Sequence, residues 1–160
     1  MNMRQKKLIV NILTVVVFTV AMVTGFSTIK NVINRSEAMR AMELLGREIL
    51  QYRKTNGSLP PEYYVKRYMD EIGAVRLSGF HYRAPWIEFG SDPNQTILVY
   101  SEKNYRGFVK AGGIVLWLNG KVEWMDKKQF EQALTSQQKQ QELQWLKEHL
   151  QENKDSRPQY

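Results

Sequence analysis

The chain has 160 residues, a formal net charge of +7 and no cysteine, which excludes disulfides and thiolate chemistry. Residues 1–30 carry four Lys or Arg and no acid, whereas residues 31–160 carry 19 basic against 16 acidic side chains. Over half of the excess charge therefore belongs to the N-terminal segment. The mixed signs elsewhere argue against nucleic acid as a partner, since such binders cluster their basic residues on the folded domain.

Residues 8–29 form an uncharged run of 22, behind a tip that carries Arg4, Lys6 and Lys7. A helix rises about 1.5 Å per residue, so this run is long enough to cross a hydrocarbon layer of about 30 Å. A secretory signal peptide shares the layout but has a shorter apolar core and small residues at its end. This run ends Val23-Thr24-Gly25-Phe26-Ser27-Thr28-Ile29, with no Ala-x-Ala pattern. It predicts an uncleaved, single membrane span. The dense positive tip predicts that residues 1–7 are cytoplasmic and that the domain lies on the far side. The 130 residues after position 30 suffice for one modest core.

Beyond the span, Ala38, Met42, Leu45, Ile49 and Tyr52 recur at spacings of 4, 3, 4 and 3, which is one face of a helix. Glu37, Arg40, Glu43, Arg47 and Glu48 lie off that stripe. The spacing predicts one rod from about residue 6 to about residue 56, ended by Asn56 and Gly57, with Pro60 and Pro61 forcing an extended turn. A short helix is expected from Pro61 to about Ile72, with Tyr64, Tyr68 and Ile72 on one face.

The alternation of Phe80, Tyr82, Ala84 and Trp86 predicts a strand over 79–89. A turn cluster follows at 90–94, then a β-rich run from Thr96 to Ser101. Asn119 and Gly120 stand between two apolar runs, the strongest short signal for a hairpin. A two-residue turn would set Trp117 opposite Val122 and Val115 opposite Trp124, so that Val115, Trp117, Val122 and Trp124 form a shared hairpin core. Ala111, Gly112 and Gly113 read as a bend before it. Asp126 and Gln129 read as a capping box for a helix expected to run on to about Glu152, where Trp145, Leu146, His149 and Leu150 form a second apolar patch. Residues 156–160 are expected to fray. The fold class is therefore α+β: a long N-terminal helix packed on a small antiparallel sheet, with a C-terminal helix. Its parts are a basic tip (1–7), a transmembrane helix (8–29), the domain (30–134) and a C-terminal helix with tail (135–160).

The sequence offers no catalytic constellation. His81 and His149 are the only histidines, 68 residues apart, and neither has a neighbour at metal spacing. There is no Gly-x-Ser-x-Gly elbow and no phosphate loop, and the adjacent Asp70 and Glu71 point apart on a helix. No catalytic residue, metal or cofactor is expected. Two other readings of the residues stand side by side. Ala38, Met42, Leu45 and Ile49 are a candidate helix-packing interface between subunits. Alternatively Tyr64, Tyr68, Tyr82 and Trp86 form a surface suited to a peptide or glycan, unless these aromatics simply fill a thin core.

The order of parts resembles the type IV pilin-like proteins, especially the pseudopilins of type II secretion and their prepilin-like relatives. The resemblance is carried by the unbroken membrane-to-amphipathic helix, by the corner Gln51-Tyr52-Arg53-Lys54-Thr55-Asn56-Gly57-Ser58-Leu59-Pro60, by the segment from Gly112 to Trp124, and by the following Gln129-Phe130-Glu131-Gln132-Ala133-Leu134. Where the family usually has Asp-Gly-His, this chain has Asn119-Gly120-Lys121. The family's processing motif, Gly-Phe-Thr-Leu-Ile-Glu before the apolar run, has no counterpart in residues 1–7. Gly25-Phe26-Ser27-Thr28-Ile29-Lys30 lies after the run and has Lys30 where the acid belongs. The resemblance does not carry processing or filament assembly over to this chain. It implies a bacterial inner-membrane location with the domain on the periplasmic side, and a structural or interaction role. The implied partners are other pilin-like or secretion-apparatus proteins, with room for self-association.

Overall fold

The computed structural model describes residues 3–74, 77, 79–104 and 111–155. In chain order the elements are α1 (Met3–Asn56), α2 (Glu62–Glu71), β1 (Phe80–Tyr82), a 3-10 turn (Ala84–Trp86), β2 (Ile97–Lys103), β3 (Gly112–Trp117), β4 (Val122–Asp126), α3 (Lys127–Thr135) and α4 (Gln140–Asp155). The strands form one antiparallel meander in the order β1-β2-β3-β4. The α+β class and the long N-terminal helix are as the sequence predicts.

α1 is a single helix of 54 residues whose two halves live in different surroundings. In the first half, the large apolar side chains between positions 8 and 29 are 48–68% exposed. The hydroxyls of Thr14, Thr19, Thr24 and Thr28 each donate to the carbonyl four residues back, so these polar groups are satisfied without water. This is a helix long and apolar enough to cross a membrane, and it fits a single-pass membrane protein. The second half is the spine of the domain. Ala38, Met42, Leu45 and Ile49 are at most 1% exposed, in one core with Val65 and Met69 of α2 and with Val99, Ile114 and Leu116 of the sheet. Burying an aliphatic side chain of this size contributes about 1.5–3 kcal/mol, which makes this seam the main fastening. The helix ends at Asn56, and the Gly57 N–H bonds to the Arg53 carbonyl at 2.8 Å.

The other face of the sheet carries α3. Ile97, Tyr100, Val115, Phe130 and Leu134 form a second cluster there, joined by Trp117 and Met125. Gly113 lies so close to Phe130 that a Cβ would come within 2.4 Å of its ring. Gly112 and Gly113 are therefore part of β3, paired with Asp126 and Met125, and not a bend before it.

Four details depart from the sequence reading. The strand expected over 79–89 stops at Tyr82, because Pro85 favours the 3-10 turn that follows. The buried face of α2 centres on Val65 and Met69, with Tyr68 and Ile72 half-buried at its margin. The hairpin closes with three loop residues, since Trp117 N–H bonds to the Lys121 carbonyl and Gly120 N–H to the Trp117 carbonyl. Of the turn residues only Gly120 has positive φ, at 90°. Asn119 is held instead by the neighbouring turn, its N–H on the Pro93 carbonyl and its amide on Asn94. The register consequently slips by one, with Leu116 opposite Val122 and Ile114 opposite Trp124. Val115 and Trp117 face α3, whereas Val122 and Trp124 face α1, so the four do not make one shared hairpin core.

Finally, the C-terminal helix is two helices. Asp126 caps α3 by accepting from the Gln129 N–H at 2.9 Å. The chain then breaks at 136–139, where Gln137 turns into the sheet. Residues 156–160, expected to fray, lie outside the described residues, as do the side chains of His149 and Leu150.

Candidate functional site

The stripe expected to pack between subunits is consumed within the chain. Ala38, Met42, Leu45 and Ile49 all lie in the domain's own core, so that face is not open to a second copy. The four aromatics of the alternative reading do not form one surface either. The Tyr64 hydroxyl donates to Glu48 and its ring packs on Tyr52 at 4.8 Å, which ties α2 to α1. Tyr68 leans on the core. Tyr82 is buried, its hydroxyl donating to the Pro60 carbonyl at 2.7 Å. Trp86 stands apart from these three, facing Trp145 of α4 with ring centroids 6.4 Å apart.

Tyr82 and Trp86 do share one feature, a groove of about 280 Å³ along the free edge of β1. Its floor is β1 itself. One wall comes from Glu62 and Lys66 of α2, and the other from Glu142, Trp145 and Leu146 of α4. Glu62 and Lys66 pair with each other at 2.7 Å.

The polar centre of this region is a residue pair that sequence patterns do not reveal. Arg83 and Glu142 meet at 2.6 Å with side chains only 4% and 2% exposed. Arg83 Nε and one terminal nitrogen grip both Glu142 oxygens. The terminal nitrogens also donate to the Ile97 and Gln137 carbonyls and to the Gln137 side chain. All five donors of the guanidinium are thus used. The same Gln137 oxygen accepts from the Ile97 N–H at 2.8 Å. Arg83 therefore fastens both α4 and the α3–α4 connection to the sheet. Glu88 and Lys139 form a further, exposed ion pair beside it.

Burial favours the neutral forms of three ring side chains nearby. Burial keeps the His81 imidazole below its ordinary value, with Glu102 and Glu142 pulling weakly the other way. Burial likewise pushes the Tyr82 and Tyr100 phenols up. Among the described residues no group of three His, Asp or Glu side chains gathers to hold a metal. What the groove offers is an aromatic wall and the outer edge of a strand that, among the described residues, pairs only with β2.

Arg83, Gln137 and Glu142 were not legible as a site. Arg83 and Glu142 are 59 residues apart, and each has an ordinary polar setting in its own segment. Searches with protein-family models, curated protein sequences and solved structures find no match to this chain.

Proposed function

We propose that this chain is a non-enzymatic, single-pass membrane protein, a pilin- or pseudopilin-like subunit that acts by contact with other proteins of a secretion or pilus-like apparatus. The observation that carries this reading is the division of α1. One rigid helix exposes an apolar half of membrane length and gives its other half to the domain as a spine. Such a helix fixes the domain close to the bilayer, because Arg35 already stacks on Trp124 of β4, at 4.2 Å, only a few residues beyond the apolar run. With Ala38, Met42, Leu45 and Ile49 spent internally, contacts to other subunits fall on the exposed half of α1 and on the outer surface of the domain.

Photocrosslinking groups placed at Val17 and Ala21, both on the exposed half, test this in intact cells. Links to pilin-like or secretion-apparatus membrane helices are expected. Links to lipid alone would contradict an assembly role.

A second reading, a membrane-tethered peptide-binding module, is favoured by the groove at β1. A glycan is the poorer occupant, since the polar donors there are already engaged by the protein.

A further inference from the structure

We infer that the free edge of β1 accepts an extended segment of a partner protein as an added strand, with an apolar side chain of that segment seated against Trp86 and Trp145. This rests on the reading of the chain as a non-enzymatic interaction protein, and it names the surface and the chemistry of the partner.

The backbone geometry comes first. β1 is the edge strand, and it pairs with β2 as Phe80 with Ser101, His81 with Tyr100 and Tyr82 with Val99. The register continues one step further, with the Arg83 N–H on the Leu98 carbonyl at 2.9 Å. In an antiparallel pair, residues that bond to the neighbour alternate with residues that do not. His81 and Arg83 therefore bond inward, and Phe80 and Tyr82 turn their N–H and C=O groups away from β2. Both residues line the groove. No backbone bond to another described loop or helix engages those outward groups. An alternating row of donors and acceptors is matched by another extended chain, which is how strand addition gains its affinity.

The groove then selects the occupant. At about 280 Å³ it is slightly smaller than the range typical of small-molecule pockets, and it suits one large side chain beside a strand. Its charges cancel internally, Arg83 against Glu142 and Lys66 against Glu62. That electrostatic balance offers nothing to a phosphate or a carboxylate. It favours a neutral, apolar side chain between the aromatic walls.

A second copy of this chain is the wrong partner for the edge. The two-fold axis of a symmetric antiparallel pair stands perpendicular to the sheet. Because α1 lies along the sheet's face, such a pair would point the two membrane segments in opposite directions. Two copies anchored in one bilayer do not meet this way.

The test uses the full chain in lipid nanodiscs and a phage-displayed library of random nine-residue peptides. Enriched peptides are expected to carry apolar residues at alternate positions. The best of them, made synthetically, should shift the tryptophan emission of the protein on binding. N-methylating its amides one at a time should weaken affinity at least tenfold at alternate positions and leave the others unchanged, which is the signature of a strand partner. Phe80→Pro removes an outward N–H from β1 together with a ring that packs on the core, so it is compared with Phe80→Leu, which keeps the N–H: only the proline should weaken binding about tenfold, while the thermal melt shows whether each variant remains folded. Enrichment without the alternating pattern or binding indifferent to N-methylation would overturn strand addition, and peptides that carry acidic anchors would overturn the apolar seat between Trp86 and Trp145. Carbonate extraction of membranes, run alongside, separates the two levels. Failed panning with a chain that stays in the membrane sinks this site alone, whereas a chain released by carbonate sinks the membrane-subunit reading beneath it.

Discussion

The two faces of the sheet are held by different physics. Toward α1 the contact is apolar and regular, four helix positions at 3.6-residue spacing set into β2 and β3. Toward α3 and α4 the apolar cluster is smaller, and α4 is held by a buried ion pair with every guanidinium donor engaged. An apolar seam weakens gradually as side chains shrink. A buried pair fails abruptly, because the survivor is left as an uncompensated charge. The first face is built to be permanent, and the second depends on a single geometry.

The largest expected effect comes from breaking that geometry. Glu142→Leu should cost about 3–5 kcal/mol by stranding Arg83, while Arg83→Leu combined with Glu142→Leu should cost much less. Hydrogen exchange should place the loss in α4 and at Ile97. Leu45→Ala on the opposite face should cost about 2–5 kcal/mol. There the loss should appear as a fall in the melting temperature of the whole domain. Equal loss of protection in α4 from both variants would erase the distinction between the faces.

Gly113→Ala should cost about 1–3 kcal/mol through overpacking on Phe130. Phe130→Leu should recover part of it in a double-variant melt, since the clash is with the ring. The smallest effect concerns pH. His81 is held below its ordinary 6.5 by burial, so the folded state binds its proton less readily than the unfolded chain. Its contribution is complete above about pH 6.5 and is lost as pH falls from there towards the lowered value. Thermal melts should therefore fall more steeply below pH 6.5 for the wild type than for His81→Gln.

How much of this was readable in advance follows the same division. The apolar face was legible as a stripe, because Ala38, Met42, Leu45 and Ile49 recur at helical period, but the period does not say what covers it: the residues expected to pack between subunits pack on the chain's own sheet. The end of α1 at Asn56 and the cap at Asp126 were legible because each is a local chemical event. The hairpin's existence was readable, but its register was not. Asn119 is fixed by Pro93 and Asn94, from a turn 25 residues upstream, and that tertiary contact overrides the two-residue turn. The break between α3 and α4 has the same origin, since Gln137 leaves the helical path to serve Ile97 and Arg83. The groove was half legible. Tyr82 and Trp86 stood out as aromatics, yet the wall that completes it, Trp145, arrives only because Arg83 and Glu142 bring α4 back to β1.

The division of α1 into a membrane half and a domain half can be tested most directly by cysteine labelling, which the chain's lack of native cysteine makes clean. Gln5→Cys and Ser58→Cys, expressed singly, would be exposed in spheroplasts to a maleimide that does not cross membranes. The account predicts that Ser58→Cys is labelled at once and that Gln5→Cys is labelled only after the membrane is opened. Equal labelling of both positions before the membrane is opened would contradict a helix that spans the bilayer.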